Sequence, residues 1–97
     1  MNFHIETLGF EKIIKKLRKH PLKEKIMRDI DSLATNPFLG KYLTNHEKYE
    51  LKYPNLRIYY IVKEGTVIVY DTIFDGLIII EAFGTKNHQK RFLRKKD

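Results

Sequence analysis

The chain ends in GTKNHQKRFLRKKD, Gly84 to Asp97, a stretch with six Lys/Arg and one histidine. Cations at that density hold phosphates, and an imidazole among them can move a proton near neutral pH. Such a segment suits a polyanion and could help to cut one. The plain alternative is a solvated, solubilising tail. What separates the two is the context. LIIIEAF, residues 77–83, reads as a buried strand that delivers the basic residues straight to the rim of a core.

The elements that would position this chemistry follow from hydrophobic periodicity. NFHIE alternates Phe3 and Ile5 with His4 and Glu6, so residues 1–6 read as a strand. Thr7 reads as a helix N-cap. Phe10, Ile13, Ile14 and Leu17 then form the apolar stripe of a helix, with Lys12, Lys15, Lys16 and Lys19 on a solvated face. His20-Pro21 punctuates, and Pro21 is expected to open a second helix with the stripe Leu22, Ile26, Ile30 and Leu33. Asn36-Pro37 ends it, giving an antiparallel helical hairpin over residues 8–36.

Residues 37–48 are polar and turn-rich, and after them the period changes to two. YELKY, LRIYYIVK, TVIVYDTIF and LIIIEAF read as four strands, separated by Pro54-Asn55, Lys63-Glu64-Gly65 and Asp75-Gly76. The expected fold is therefore a single α+β domain over residues 1–97. Its order is β-α-α-β-β-β-β, with a mostly antiparallel sheet over 49–83 and a basic segment over 84–97.

Strand parity assigns faces. Tyr49, Leu51, Tyr53, Leu56, Ile58, Tyr60 and Val62 should face the helices. Lys52, Arg57 and Tyr59 should point to the open face, and Phe83 joins them if Glu81 marks solvent. Cations mixed with rings suit nucleic acid, because Lys and Arg meet phosphates while rings stack on unpaired bases. Ordinary solvated residues on a half-exposed sheet would give the same pattern.

Charge and composition agree with an anionic partner. The net charge is +7, which favours encounter with nucleic acid, an acidic protein or an anionic surface. Cysteine is absent, so neither a disulfide nor a thiolate metal site can form. No apolar run approaches the ~20 residues of a membrane span, and the first residues do not form a signal peptide. The expectation is a soluble, cytoplasmic protein that does not engage a membrane.

The ordered combination of a short strand, a helical hairpin, the pair "YxLKY…LRIYYIV" and a terminal strand ending in Gly-x-Lys resembles the RelE/ParE toxin superfamily. The resemblance spans nearly the whole chain. It implies a small antiparallel sheet cradling two N-terminal helices. It also implies the toxin of a type II toxin–antitoxin system, held inactive by a cognate acidic antitoxin, with operator DNA engaged only through the antitoxin complex. Within that resemblance the RelE-like branch cleaves messenger RNA on the ribosome (with ribosomal RNA contacts), and the ParE-like branch inhibits DNA gyrase.

Carried over residue by residue, the resemblance places Lys52, Arg57 and Lys86 in the catalytic set. Phe92 falls near a C-terminal stacking tyrosine. His88 and Arg91 are further catalytic candidates from the basic segment, and Tyr59, Phe83, Lys90 and Phe92 are candidates for substrate binding. Two positions depart from the pattern: Glu50 stands where a first lysine is usual, and the ending is Gly84-Thr85-Lys86.

Metal-free RNA cleavage needs a base for the 2′-hydroxyl, cations on the phosphorane oxygens and an acid for the leaving 5′-oxygen. Arg57 fits charge stabilisation. Lys52 is a candidate base if neighbours and desolvation act on it, and His88 can serve as base or acid. No metal or other cofactor is expected. The RelE-like reading, a metal-independent messenger-RNA endonuclease, is favoured. The rivals are a ParE-like gyrase inhibitor and a non-catalytic module that binds nucleic acid or the antitoxin.

Overall fold

A computed structural model describes residues 1–84, with the side chains of Phe10, Ile13, Ile14, Ala82 and Phe83 left aside. Lys86, His88, Lys90, Arg91 and Phe92 lie outside the described residues.

The elements are β1 (Phe3–Thr7), α1 (Phe10–Arg18), α2 (Lys23–Ser32), β2 (Lys41–Leu43), β3 (Lys48–Tyr53), β4 (Leu56–Val69) and β5 (Thr72–Gly84). They form one five-stranded sheet in the order β1-β5-β4-β3-β2. β1 runs parallel to β5, and every other pairing is antiparallel. The class is α+β with two helices and a mostly antiparallel sheet, as the periodicity predicts.

Several boundaries differ from expectation. α1 is entered through Gly9, at φ 67°, and not through Thr7, which ends β1. Only glycine takes that left-handed entry without a Cβ penalty. Pro21 precedes α2 instead of opening it, since the helix starts at Lys23 after Leu22. The polar stretch after Pro37 contains a short edge strand, β2.

The largest difference lies in β4 and β5. TVIVYDTIF is not a separate strand. β4 runs through Lys63-Glu64-Gly65, and β5 runs through Asp75-Gly76. Gly65, at φ 119°, sits at a register shift between Glu64 and Val67, so the glycine serves a bulge and not a turn. The chain reverses at Tyr70-Asp71, both left-handed at φ 46° and 65°, as a two-residue hairpin loop of the primed kind requires. The outer part of this hairpin exposes Ile68, Tyr70 and Ile73.

Leu17, Ile26 and Leu33 of the helical layer pack with Phe3, Leu51, Tyr53, Leu56, Ile58, Tyr60, Ile78 and Ile80 of the sheet. Alternation along β3 and β4 thus points the expected set toward the helices. At roughly 1.5–3 kcal/mol for each fully buried large apolar side chain, this cluster is the main source of stability.

The layers are also pinned by polar contacts. The Tyr53 hydroxyl donates to Asp29 on α2 at 2.7 Å. His20, between the helices, accepts from the Leu22 N–H at Nδ1 (3.0 Å), so its Nε2 carries the proton and donates to the Pro54 carbonyl at 2.8 Å.

Candidate nucleic-acid interface

The face of the sheet away from this core carries Lys48, Glu50 and Lys52 on β3 and Arg57 and Tyr59 on β4. The tight reversal at Pro54-Asn55, with Asn55 at φ 58°, sets the register that brings them together. Lys52 pairs with Arg57 across the β3–β4 ladder, and Arg57 pairs with Gly84 across the β4–β5 ladder. The three form one row across the sheet. Gly84 is the last described residue, and the basic segment begins next to it in sequence.

Exposure divides the row. Lys52 is exposed, whereas Arg57 is 8% exposed. Arg57 Nη1 donates to the carbonyls of Tyr53 (2.6 Å) and Leu56 (3.0 Å), on the two sides of the reversal. The guanidinium therefore fastens the β3–β4 turn, a duty that strand parity does not suggest. Both bonds leave from Nη1. The Nε–Nη2 edge of the fork makes no hydrogen bond to the other described residues. Lys52 stands in solvent, without the burial that the candidate-base role calls for.

Tyr59 is placed differently from expectation, and the backbone register at Phe83 differs as well. Tyr59 is 1% exposed and is no stacking platform in this conformation. Its phenol is pushed well above the ordinary value, chiefly by burial and then by the negative charge of Glu50, with Arg57 acting the other way. The backbone of Phe83 is in register with Ile58, and not with Arg57 or Tyr59. The register shift at Tyr59/Tyr60 leaves Glu81 between Ile80 and Ala82 as an extra residue, which inverts the simple alternation beyond it.

The same face is less cationic than the row suggests. Lys48 and Glu81 form an ion pair, and Lys48 and Glu50 are both buried. Two carboxylates thus share the face with the cations. The Lys48–Glu81 pair joins residues far apart in sequence, so no local motif announces it. Among the described residues the exposed cations are concentrated elsewhere, on and just after α1 and on α2: Lys12, Lys15, Lys16, Arg18, Lys19, Lys23, Lys25 and Arg28.

Among the described residues no group of three His, Asp or Glu side chains could hold a metal ion, and no helix is long and apolar enough to cross a membrane. No family model, no curated protein and no solved structure matches the chain.

Proposed function

We propose that the protein is the toxin of a type II toxin–antitoxin system, a RelE-like endonuclease that cuts messenger RNA on the ribosome without a metal. The single observation that carries the reading is the row Lys52–Arg57–Gly84, in which the residue that precedes the basic segment in sequence pairs with an arginine whose Nε–Nη2 edge makes no hydrogen bond to the other described residues. The architecture agrees with what the resemblance implies, a small mostly antiparallel sheet with two N-terminal helices. The charge of +7 suits both RNA and an acidic antitoxin in the cytoplasm.

In this reading the 2′-hydroxyl attacks the adjacent phosphorus and the 5′-oxygen leaves. The products are a 2′,3′-cyclic phosphate and a free 5′-hydroxyl. The outer edge of Arg57 holds a phosphorane oxygen, Lys86 supplies a second cation, and Lys52 contributes long-range positive charge from solvent. Proton transfer falls to His88, because an imidazole can give and take a proton near neutral pH. Lys90, Arg91 and Phe92 hold the substrate strand.

Expression of the chain without an antitoxin tests the reading. Translation arrest with cleaved transcripts supports it. An SOS response with gyrase-linked DNA breaks supports the ParE-like rival instead. One observation favours a third reading, a non-catalytic binding member: Glu50 and the Lys48–Glu81 pair neutralise part of the face, and Arg57 is partly spent on the turn. That reading predicts harmless expression.

A further inference from the structure

A second surface lies at the other end of β3, and its chemistry is opposite. Tyr42, Tyr49 and Tyr60 occupy one register row across β2, β3 and β4. Tyr49 stacks on Tyr60 with centroids 5.3 Å apart and planes 17° apart. Phe38 and Tyr42 lean against Tyr49 at 5.7 and 5.0 Å, with planes tilted 49° and 57°. The three rings Phe38, Tyr42 and Tyr49 form walls of a cleft of about 380 Å³, completed by Glu47, Val62 and Glu64. Phe38 and Tyr42 remain 43% and 47% exposed, so ring surface is presented to a ligand and not consumed by the core.

The cleft is braced from below. The Tyr60 hydroxyl donates to the Pro37 carbonyl at 2.9 Å and accepts the Gly40 N–H at 2.9 Å. Those bonds fix the segment that carries Phe38. Gly40 lies so close to β3 that a Cβ there would stand 2.7 Å from the Glu50 carbonyl oxygen, so the segment cannot drift inward. Glu47, at φ 54°, closes the β2–β3 loop in a left-handed conformation that asparagine or glycine would adopt more cheaply. Burial, then Tyr42, then the Glu64 carboxylate push the Tyr49 phenol upward.

Among the described residues, two carboxylates and three rings line the cleft and no lysine or arginine does, in a chain whose net charge is +7. Ring faces and carboxylates attract a cation and repel a phosphate. We propose that this cleft binds an organic cation, an alkylammonium or guanidinium group, held over Tyr42 and Tyr49 and neutralised by Glu47 and Glu64. The same chemistry has two sources: a Lys or Arg side chain of a protein partner, or a free small cation. The proposal does not depend on the RNA reading.

The test is an aromatic NMR titration of the full chain with choline and with its neutral isostere 3,3-dimethylbutan-1-ol. Choline should shift the rings of Phe38, Tyr42 and Tyr49 saturably, and the neutral isostere should not. Glu47→Gln with Glu64→Gln should weaken choline roughly five- to ten-fold, as loss of two exposed charges from a cation–π site predicts. Tyr42→Leu should abolish the shift, and the backbone spectrum of each variant verifies its fold. Parallel titrations with N-acetyl-arginine amide and N-acetyl-lysine amide separate the sources. Tighter binding of an amide than of choline assigns a partner's side chain, and the reverse assigns a free cation. No saturable shift with any cation, or an equal response to the neutral isostere, overturns the proposal.

Discussion

Arg57 and Gly84 face each other across the β4–β5 ladder, at the last described register position before the basic segment. Arg57 Nη1 holds the β3–β4 turn, and its register partner Gly84 is the residue that precedes Thr85 and the cations of the C-terminal segment in sequence.

The structural duty predicts a stability cost. Arg57→Ala should destabilise the fold by roughly 2–3 kcal/mol, because two charge-assisted bonds are lost and the carbonyls they served lose their donor. Arg57→Lys should recover part of this, since an ammonium can reach one carbonyl but cannot reproduce the planar fork. Urea denaturation measures both. Lys52→Ala, at an exposed position, should change stability by less than about 0.5 kcal/mol.

The bond from Tyr53 to Asp29 should appear in the pH dependence of stability. That hydrogen bond, followed by Lys25, holds the Asp29 carboxyl below its ordinary value against the opposing effect of burial. A carboxyl lowered in the folded state stabilises fully above its unfolded value, about 3.9, and the contribution fades as pH falls through the folded value. The melting-temperature difference between wild type and Asp29→Asn should therefore be constant above about pH 5 and shrink below about pH 4. Tyr53→Phe should cost about 1 kcal/mol at neutral pH.

The β4–β5 reversal is built from residues poorly suited to it. Tyr70 and Asp71 both adopt left-handed backbone, and Tyr70 is 97% exposed, so no packing compensates. Tyr70→Asn with Asp71→Gly supplies the pair that this turn favours and should raise stability by roughly 1 kcal/mol. Chemical denaturation would register the gain, and RNA cleavage should be unchanged, because the turn is at the far end of β5 from Gly84.

Much of this fold is legible in the sequence because burial imposes a period. Leu51, Tyr53, Leu56, Ile58 and Tyr60 alternate cleanly, and all face the core. The helical stripes deliver Leu17, Ile26 and Leu33 in the same way. Glycine signals were read less well, because a glycine can answer more than one need. Gly65 serves a bulge. Gly76 is buried against the Phe3 ring, and a Cβ there would come within 2.5 Å of the Lys63 carbonyl oxygen. Neither makes a turn, while the real reversal at Tyr70-Asp71 carries no glycine or asparagine. For the candidate site, Lys52 and Arg57 are adjacent as parity implies. The Glu81 bulge, which moves Phe83 to the register of Ile58, has no signature in LIIIEAF. The Lys48–Glu81 pair and the ring cleft depend on register between distant segments, which periodicity within a strand does not determine.

RNA cleavage in a translating extract tests the central claim most directly. Purified wild-type chain is added and the new RNA ends are mapped against the reading frame. The account predicts cuts within the translated region that carry free 5′-hydroxyls, persist in the presence of a metal chelator when isolated ribosome–messenger complexes are the substrate, and disappear with Lys86→Ala and with Arg57→Lys at a temperature where each variant is folded. Undiminished cleavage by the Arg57→Lys, Lys86→Ala double variant, or no cleavage by the folded wild-type chain, would contradict it.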